Sequence, residues 1–317
     1  MIANDSRIKC EICPIGCELR KDQIGACGVR KSNGSSIFLE AYNKITSVSI
    51  EPIEKKPIYH WAANQKTLSI GGYGCNMSCS FCFNWKISQF NLYNDAKNLS
   101  THDIVRMAQE NKCESVCFTF NEPIIYYEYF LDLADECKHN NIDIIAKTNG
   151  FATEKVWTNF VRSCSAINID WKGGPKKYLE TTGVVFENVF ERIHQAYPLA
   201  HVELSVPVYN DSCLEDYNDL ISLGNDYPDL PIHLLRILPA YKDSIVQITS
   251  FSLLKKLKNL LTNKYNYVYI HNTYDESDSR DTFCSVCKDK IVERESLSSS
   301  VLRESCCSKR VFKKYVR

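Results

Sequence analysis

From residue 67 onward the chain alternates two patterns of apolar and polar positions. Runs of nearly continuous apolar character predict strands at TLSIGG (67–72), SVCFTF (115–120), IDIIAKTNG (142–150), AINIDWK (166–172), HVELSVPV (201–208) and IHLLRILP (232–239). Between them, apolar residues recur at helical spacing. The predicted helices are THDIVRMAQENK (101–112, capped by Ser100 or Thr101), IIYYEYFLDLADECKHN (124–140), TEKVWTNFVRSC (153–164), FENVFERIHQAY (186–197) and LEDYNDLISLGNDY (214–227). SFSLLKKLKNLLTNK (250–264) follows the last strand. Strands apolar on both faces belong to a sheet covered on both sides, and regular strand–helix alternation predicts parallel order. The fold class is therefore α/β. Six βα units fit between residues 67 and 264, too few for a closed eight-unit barrel and right for a partial (β/α)6 barrel. In such folds chemistry gathers at the C-terminal ends of the strands.

The first 60 or so residues read differently. A cysteine-rich opening leads into IFLEAYNKITSVSIEPIEKKPIYHW, a segment with strand propensity. The expected organisation is a cysteine-rich N-terminal extension (1–62), a barrel core (63–264) and a C-terminal extension (265–317).

Charge changes this picture little. Thirty-eight basic and thirty-eight acidic residues balance in the 317-residue chain, so nothing global calls for nucleic acid or an anionic membrane. The opening MIANDSRIKCEIC has no apolar core of signal-peptide length, and no run approaches the roughly 18 apolar residues of a membrane span. The expected location is cytoplasmic.

Sixteen cysteines change it a great deal. Four lie between residues 10 and 27, three between 75 and 82, and four between 284 and 307. Cys113, Cys117, Cys137, Cys164 and Cys213 are scattered through regular segments and read as small core residues. In a long chain without an export signal, clustered thiols point to metal rather than disulfides.

The first strand runs straight into GGYGCNMSCSFCFNW, giving Cys75-x3-Cys79-x2-Cys82. Three thiolates on one short loop can hold three irons of a cubane cluster and leave the fourth open. Structural zinc wants four ligands in paired spacing, which this loop lacks. Gly71, Gly72 and Gly74 let the loop wrap tightly, and Phe81, Phe83 and Trp85 can shield a cluster from water. Cys10-x2-Cys13-x3-Cys17-x9-Cys27 supplies four more thiolates, enough for structural zinc or for an auxiliary iron–sulfur cluster. Cys284-x2-Cys287 begins like half a zinc ribbon and is followed by adjacent Cys306 and Cys307. Neighbouring residues chelate one ion poorly, so Cys306 alone is taken as the third ligand. The basic tail reads as solvated.

The triplet, its place after the first strand and the six βα units resemble the radical S-adenosylmethionine (SAM) superfamily, in particular its glycyl-radical-activase-like branch. EPIEKKPIYHW (51–61), GCNMSCSFCFNWKIS (74–88), FTFNEP (118–123), KTNGF (147–151) and DTFCSVC (281–287) are similar to the radical SAM enzymes of the AmmeMemoRadiSam system. Phe83 departs from that group, where a glutamine is usual. So does the Cys306–Cys307 pair, where a second Cys-x-x-Cys is expected.

The resemblance implies a [4Fe–4S] cluster on Cys75, Cys79 and Cys82. S-adenosylmethionine would bind the open iron, and a flavodoxin- or ferredoxin-type protein would donate the electron. It implies that Asn121 and Glu122 meet the cofactor's amino group, and that Thr148, Asn149, Asp170 and Lys172 line its ribose and methionine side. His233 and Arg236 would face the adenosyl or substrate end. The implied reaction is reductive cleavage to a 5′-deoxyadenosyl radical that takes hydrogen from a protein, peptide or small molecule, an oxidoreductase of the activase type. A different cleavage of the same cofactor, group transfer, and a zinc-stabilised scaffold without chemistry are the alternatives.

Overall fold

The computed structural model describes residues 7–89, 95–243, 247–272, 280–295, 298–303, 305–307, 309–310 and 312; most of the basic tail lies outside them. Eight strands form one sheet: β1 (Ser47–Pro52), β2 (Lys66–Gly71), β3 (Ser115–Phe118), β4 (Asp143–Thr148), β5 (Ala166–Asp170), β6 (His201–Val208), β7 (Ile232–Arg236) and β8 (Val268–His271). They lie in sequence order, with β1 antiparallel on β2 and every later pair parallel. All six predicted strands are present. Two more extend the sheet at its edges, β1 before residue 63 and β8 after residue 264. Beyond a single helical turn at Trp85–Ser88, the helices are α1 (Thr101–Glu110), α2 (Tyr127–His139), α3 (Glu154–Ser163), α4 (Pro175–Thr182), α5 (Glu187–Ala196), α6 (Asn218–Asp226) and α7 (Phe251–Leu261). Sequence reading missed only α4 among these seven. It starts at Gly174-Pro175 and ends on left-handed Gly183, signals that a turn also carries.

Local chemistry sets the helix starts. Ser100 accepts the Asp103 amide while the Asp103 carboxylate accepts the Ser100 amide, a capping box of about 1 kcal/mol. Ser250 caps α7 through the Leu253 amide.

Register separates the two faces of the sheet. Ile70, Phe118, Ala146, Ile167 and Val202 share a row, all buried with apolar helix residues such as Phe130 and Phe160. The alternate rows face inward and are polar: Lys147, Asn168 and Glu203 in one, Asp170, Ser205, His233 and Tyr269 in the next. Such an interior is stable only when its groups are paired. Pairing at the N-terminal end comes from the Pro57–Trp61 segment. Glu203 accepts the amides of Tyr59 and His60, Asn168 donates to the Pro57 carbonyl at 2.7 Å, and the Trp61 indole donates to Asp143. EPIEKKPIYHW thus plugs one mouth of the barrel.

The C-terminal extension packs on the same end. It is a three-stranded antiparallel sheet of β9 (Thr282–Phe283), β10 (Lys290–Glu295) and β11 (Ser298–Val301). Arg294 is buried with its guanidinium 4.0 Å from the Tyr59 ring, and donates to Thr282 and to the Tyr59 carbonyl. No helix of the described residues is long and apolar enough to cross a membrane.

Candidate active site

At the opposite mouth the loops following the strands enclose a cavity of about 380 Å³. Cys75, Cys79 and Cys82 line it, with Asn121, Glu122, Asn149, Asp170, Lys172 and Arg236. The thiols come from the loop after β2, and that loop is held from below. Asn121 accepts the Gly72 amide at 2.9 Å and donates to the carbonyls of Tyr73 and Gly74. The buried Tyr126 hydroxyl accepts the Tyr73 amide. A side chain at Gly72 would meet that hydroxyl at 2.0 Å, which explains the glycine. Asn121 therefore spends its polar atoms on positioning the cysteine loop.

Glu122 is similarly engaged. It caps a short 3-10 turn (Pro123–Tyr126) through the Ile124 amide, and it accepts the Thr148 hydroxyl at 2.6 Å and the Asn149 amide at 2.7 Å. Burial pushes its carboxyl up to about 7 against these three donors. Asn149 in turn bonds Asn76 and lies 3.8 Å from the Cys75 sulfur. The ends of β2, β3 and β4 thus form one hydrogen-bonded unit around the triplet.

A charged triad completes the far wall. Asp170 takes Lys147 at 2.7 Å and Lys172 at 2.8 Å. Burial opposes its charge, but the two lysines outweigh burial and hold the carboxyl at about 2. Burial opposes the Lys172 charge, but the Asp170 carboxylate outweighs it and holds the ammonium well above its ordinary range. Lys147 was not foreseen. Its signal was a lysine inside the apolar run DIIAKT. Phe81, Pro207, Leu235 and Ile237 give this side an apolar surface.

Two expected residues lie elsewhere. His233 is the second residue of β7, so it points into the plugged end. There it bonds Glu203 at 2.7 Å and His271 at 2.8 Å. The strand reaches the cavity only at Leu235 and Arg236. Thr148 shares the outward row with Ile169 and Leu204, and reaches the site only through Glu122. Arg236 lines the cavity and donates to the Thr249 carbonyl.

The donor set suits a cubane. Cys75 accepts the Met77 amide at 3.5 Å, and the Cys82 sulfur lies 3.1 Å from the Ser88 hydroxyl. Among the described residues, Cys284, Cys287, Cys306 and Cys307 are the one group of potential ligands whose donor atoms all lie within 4.8 Å of one another. Four sulfurs on one zinc stand about 3.8 Å apart, from the Zn–S length and tetrahedral geometry. The C-terminal set matches that spacing and includes both adjacent cysteines. The sulfurs of the triplet do not all close to 4.8 Å, and a wider spacing would suit three separate irons.

Comparison with known proteins agrees with this geometry. Residues 69–221 match the model of the Radical SAM superfamily. Over 315 residues the chain is 29% identical to an uncharacterized protein of Methanocaldococcus jannaschii, covering 97% of this chain and 93% of the other. Among solved structures, Streptococcus suis SuiB bound to precursor peptide SuiA has a TM-score of 0.50 at 15% identity, covering 70% of this chain and 52% of that one. A domain of pyruvate-formate lyase-activating enzyme from Bacteroides vulgatus has a TM-score of 0.43 at 20% identity, covering 50% and 99%. Residues 69–221 thus form a domain similar to the Radical SAM superfamily.

Proposed function

We propose that Cys75, Cys79 and Cys82 hold a [4Fe–4S] cluster, that S-adenosylmethionine binds in the adjoining cavity, and that the enzyme takes a hydrogen atom from a protein, peptide or small molecule. The observation that carries this reading is the open thiol triplet facing a cavity lined by Asn149, Asp170 and Lys172. When bound, the cluster and its cofactor supply one-electron cleavage of the sulfonium to methionine and a 5′-deoxyadenosyl radical. The electron comes from a flavodoxin- or ferredoxin-type donor.

The chain's own groups bind, orient and exclude water. Asn121 and Tyr126 fix the thiol loop; Glu122 and Asn149 fix the facing loops. Asp170, already neutralised by two lysines, is a fixed acceptor for ribose hydroxyls beside a lysine that keeps its charge. Arg236, Leu235 and Ile237 border the side open to substrate. The activase-like phrases GCNMSCSFCFNWKIS and KTNGF support a place in that branch. The four C-terminal thiols are the proposed zinc site, a structural one holding the extension against the plug.

Anaerobic reconstitution with iron and sulfide, followed by dithionite and S-adenosylmethionine, tests this. The native chain should form 5′-deoxyadenosine and Cys79→Ala should not. Failure of the native chain to take up a cluster would end the proposal.

A further inference from the structure

The cysteine triplet is packed against the N-terminal extension. Gly74, which precedes Cys75, lies so close to it that a side chain there would meet the Cys27 carbonyl oxygen at 2.2 Å. A second cavity, of about 770 Å³, is lined by both Cys27 and Cys75, together with Gly25, Gly28 and Gly74. Cys10, Cys13 and Cys27 are buried and Cys17 is half-buried, all in the same core as the triplet.

The spacing Cys10-x2-Cys13-x3-Cys17-x9-Cys27 brings four thiols onto one short segment, enough to saturate a cubane. At Cys75 the amide two residues on donates to the sulfur, and Cys284 repeats this with Val286. Cys17 accepts the Ala26 amide at 3.4 Å. Amide donors to sulfur stabilise thiolates and tune the metal they hold. Arg30, buried three residues on from Cys27, is held by Glu128. Four sulfurs for one zinc would have to close to the spacing seen at the C-terminal set. Among the described residues the N-terminal set does not.

We infer that Cys10, Cys13, Cys17 and Cys27 hold a second, fully ligated [4Fe–4S] cluster that passes electrons to the cluster on Cys75, Cys79 and Cys82. The step is one electron in and one electron out: a flavodoxin- or ferredoxin-type donor is oxidised by one electron as one iron goes from Fe³⁺ to Fe²⁺. That iron returns to Fe³⁺ as the neighbouring cluster is reduced, and no proton or bond changes hands. The four protein ligands leave no iron open for substrate, so transfer is the chemistry left to it. The inference rests on the proposed radical cluster, and metal content distinguishes failure of either.

Iron, sulfide and zinc should be measured after anaerobic reconstitution of the full chain and two variants. The native chain should hold about eight irons and the Cys75→Ala/Cys79→Ala/Cys82→Ala variant about four, with the spectrum of a cubane. Cys13→Ser/Cys27→Ser should also fall to about four, keep the radical cluster and bind S-adenosylmethionine. Its radical cluster should be reduced by flavodoxin hydroquinone at least tenfold more slowly than in the native chain, followed by electron paramagnetic resonance after freeze-quench. Zinc in place of iron at the N-terminal thiols, or a triplet variant holding no iron, would overturn the inference. So would an unchanged reduction rate in Cys13→Ser/Cys27→Ser. A triplet variant that kept all the iron of the native chain would overturn the radical cluster instead.

Discussion

The Asn149 backbone amide donates to Oε2 of Glu122 at 2.7 Å, so the loop after β3 holds the loop after β4. The other carboxylate oxygen takes Thr148 and Ile124. Glu122→Gln keeps one acceptor oxygen and turns an NH2 toward a donor. It should cost about 1–3 kcal/mol in the metal-free protein at pH 5. The gap should narrow as pH rises. Burial lifts the Glu122 carboxyl from 4.5 to about 7, so the folded state binds the proton more tightly than the unfolded chain. Stability at this site is complete below 4.5 and falls by about 3 kcal/mol as pH passes 7. The amide is spared that loss. Urea unfolding at pH 5 and pH 8 checks it; a gap that widens with pH would contradict the assignment.

Asp170 titrates in the opposite sense. Its carboxyl is held at about 2, below the ordinary 3.8, because Lys147 and Lys172 outweigh its burial. The stability it contributes, about 2 kcal/mol, is present above 3.8 and lost as pH falls through 2. At neutral pH, Asp170→Asn leaves the buried Lys172 and half-buried Lys147 ammonium groups facing a neutral amide, at about 2–4 kcal/mol. Thermal unfolding at pH 7 should show the loss, and adding Lys147→Met should recover part of it.

Gly72→Ala places a methyl 2.0 Å from the Tyr126 hydroxyl, which is buried and bonded to the Tyr73 amide. The ring cannot retreat, being packed against Phe118. Overpacking here should cost about 1–3 kcal/mol or more. Pairing it with Tyr126→Phe removes the hydroxyl and should restore part of the stability, measured by denaturant midpoint.

The C-terminal thiols should bind one zinc per chain. Cys287 and Cys306 have sulfurs 3.4 Å apart, close to tetrahedral spacing. Cys287→Ser should abolish the zinc and expose the extension to protease, while iron uptake is retained. Zinc content unchanged in that variant would remove Cys287 from the site.

The barrel was legible because burying a parallel sheet on both faces leaves continuous apolar runs, and helices covering it leave a 3.6-residue repeat. Edge strand β1 lacks that signature, while β8 carries it over only four residues. Val48 and Ile50 on β1 are exposed, so nothing in their pattern demanded a sheet. The C-terminal pair Cys306–Cys307 illustrates another limit. Adjacent thiols argue against a shared ion on spacing alone, whereas the turn after β11 brings both sulfurs toward Cys284 and Cys287.

Sequence by itself determined which chemistry is present. Thiolate spacing, glycine at a close backbone approach and charge inside an apolar strand are properties of a few adjacent residues, so they can be read locally. Tertiary structure decided what each group does. A strand side chain changes face at every residue and changes end over two or three. His233 and Arg236, three positions apart on β7, therefore serve opposite mouths of the barrel. Glu122 and Asn121 line the same cavity as the thiols, and their hydrogen bonds are spent largely on backbone that the fold brings from the loops after β2 and β4. No pattern within one segment encodes a partner in another; only the packed register does.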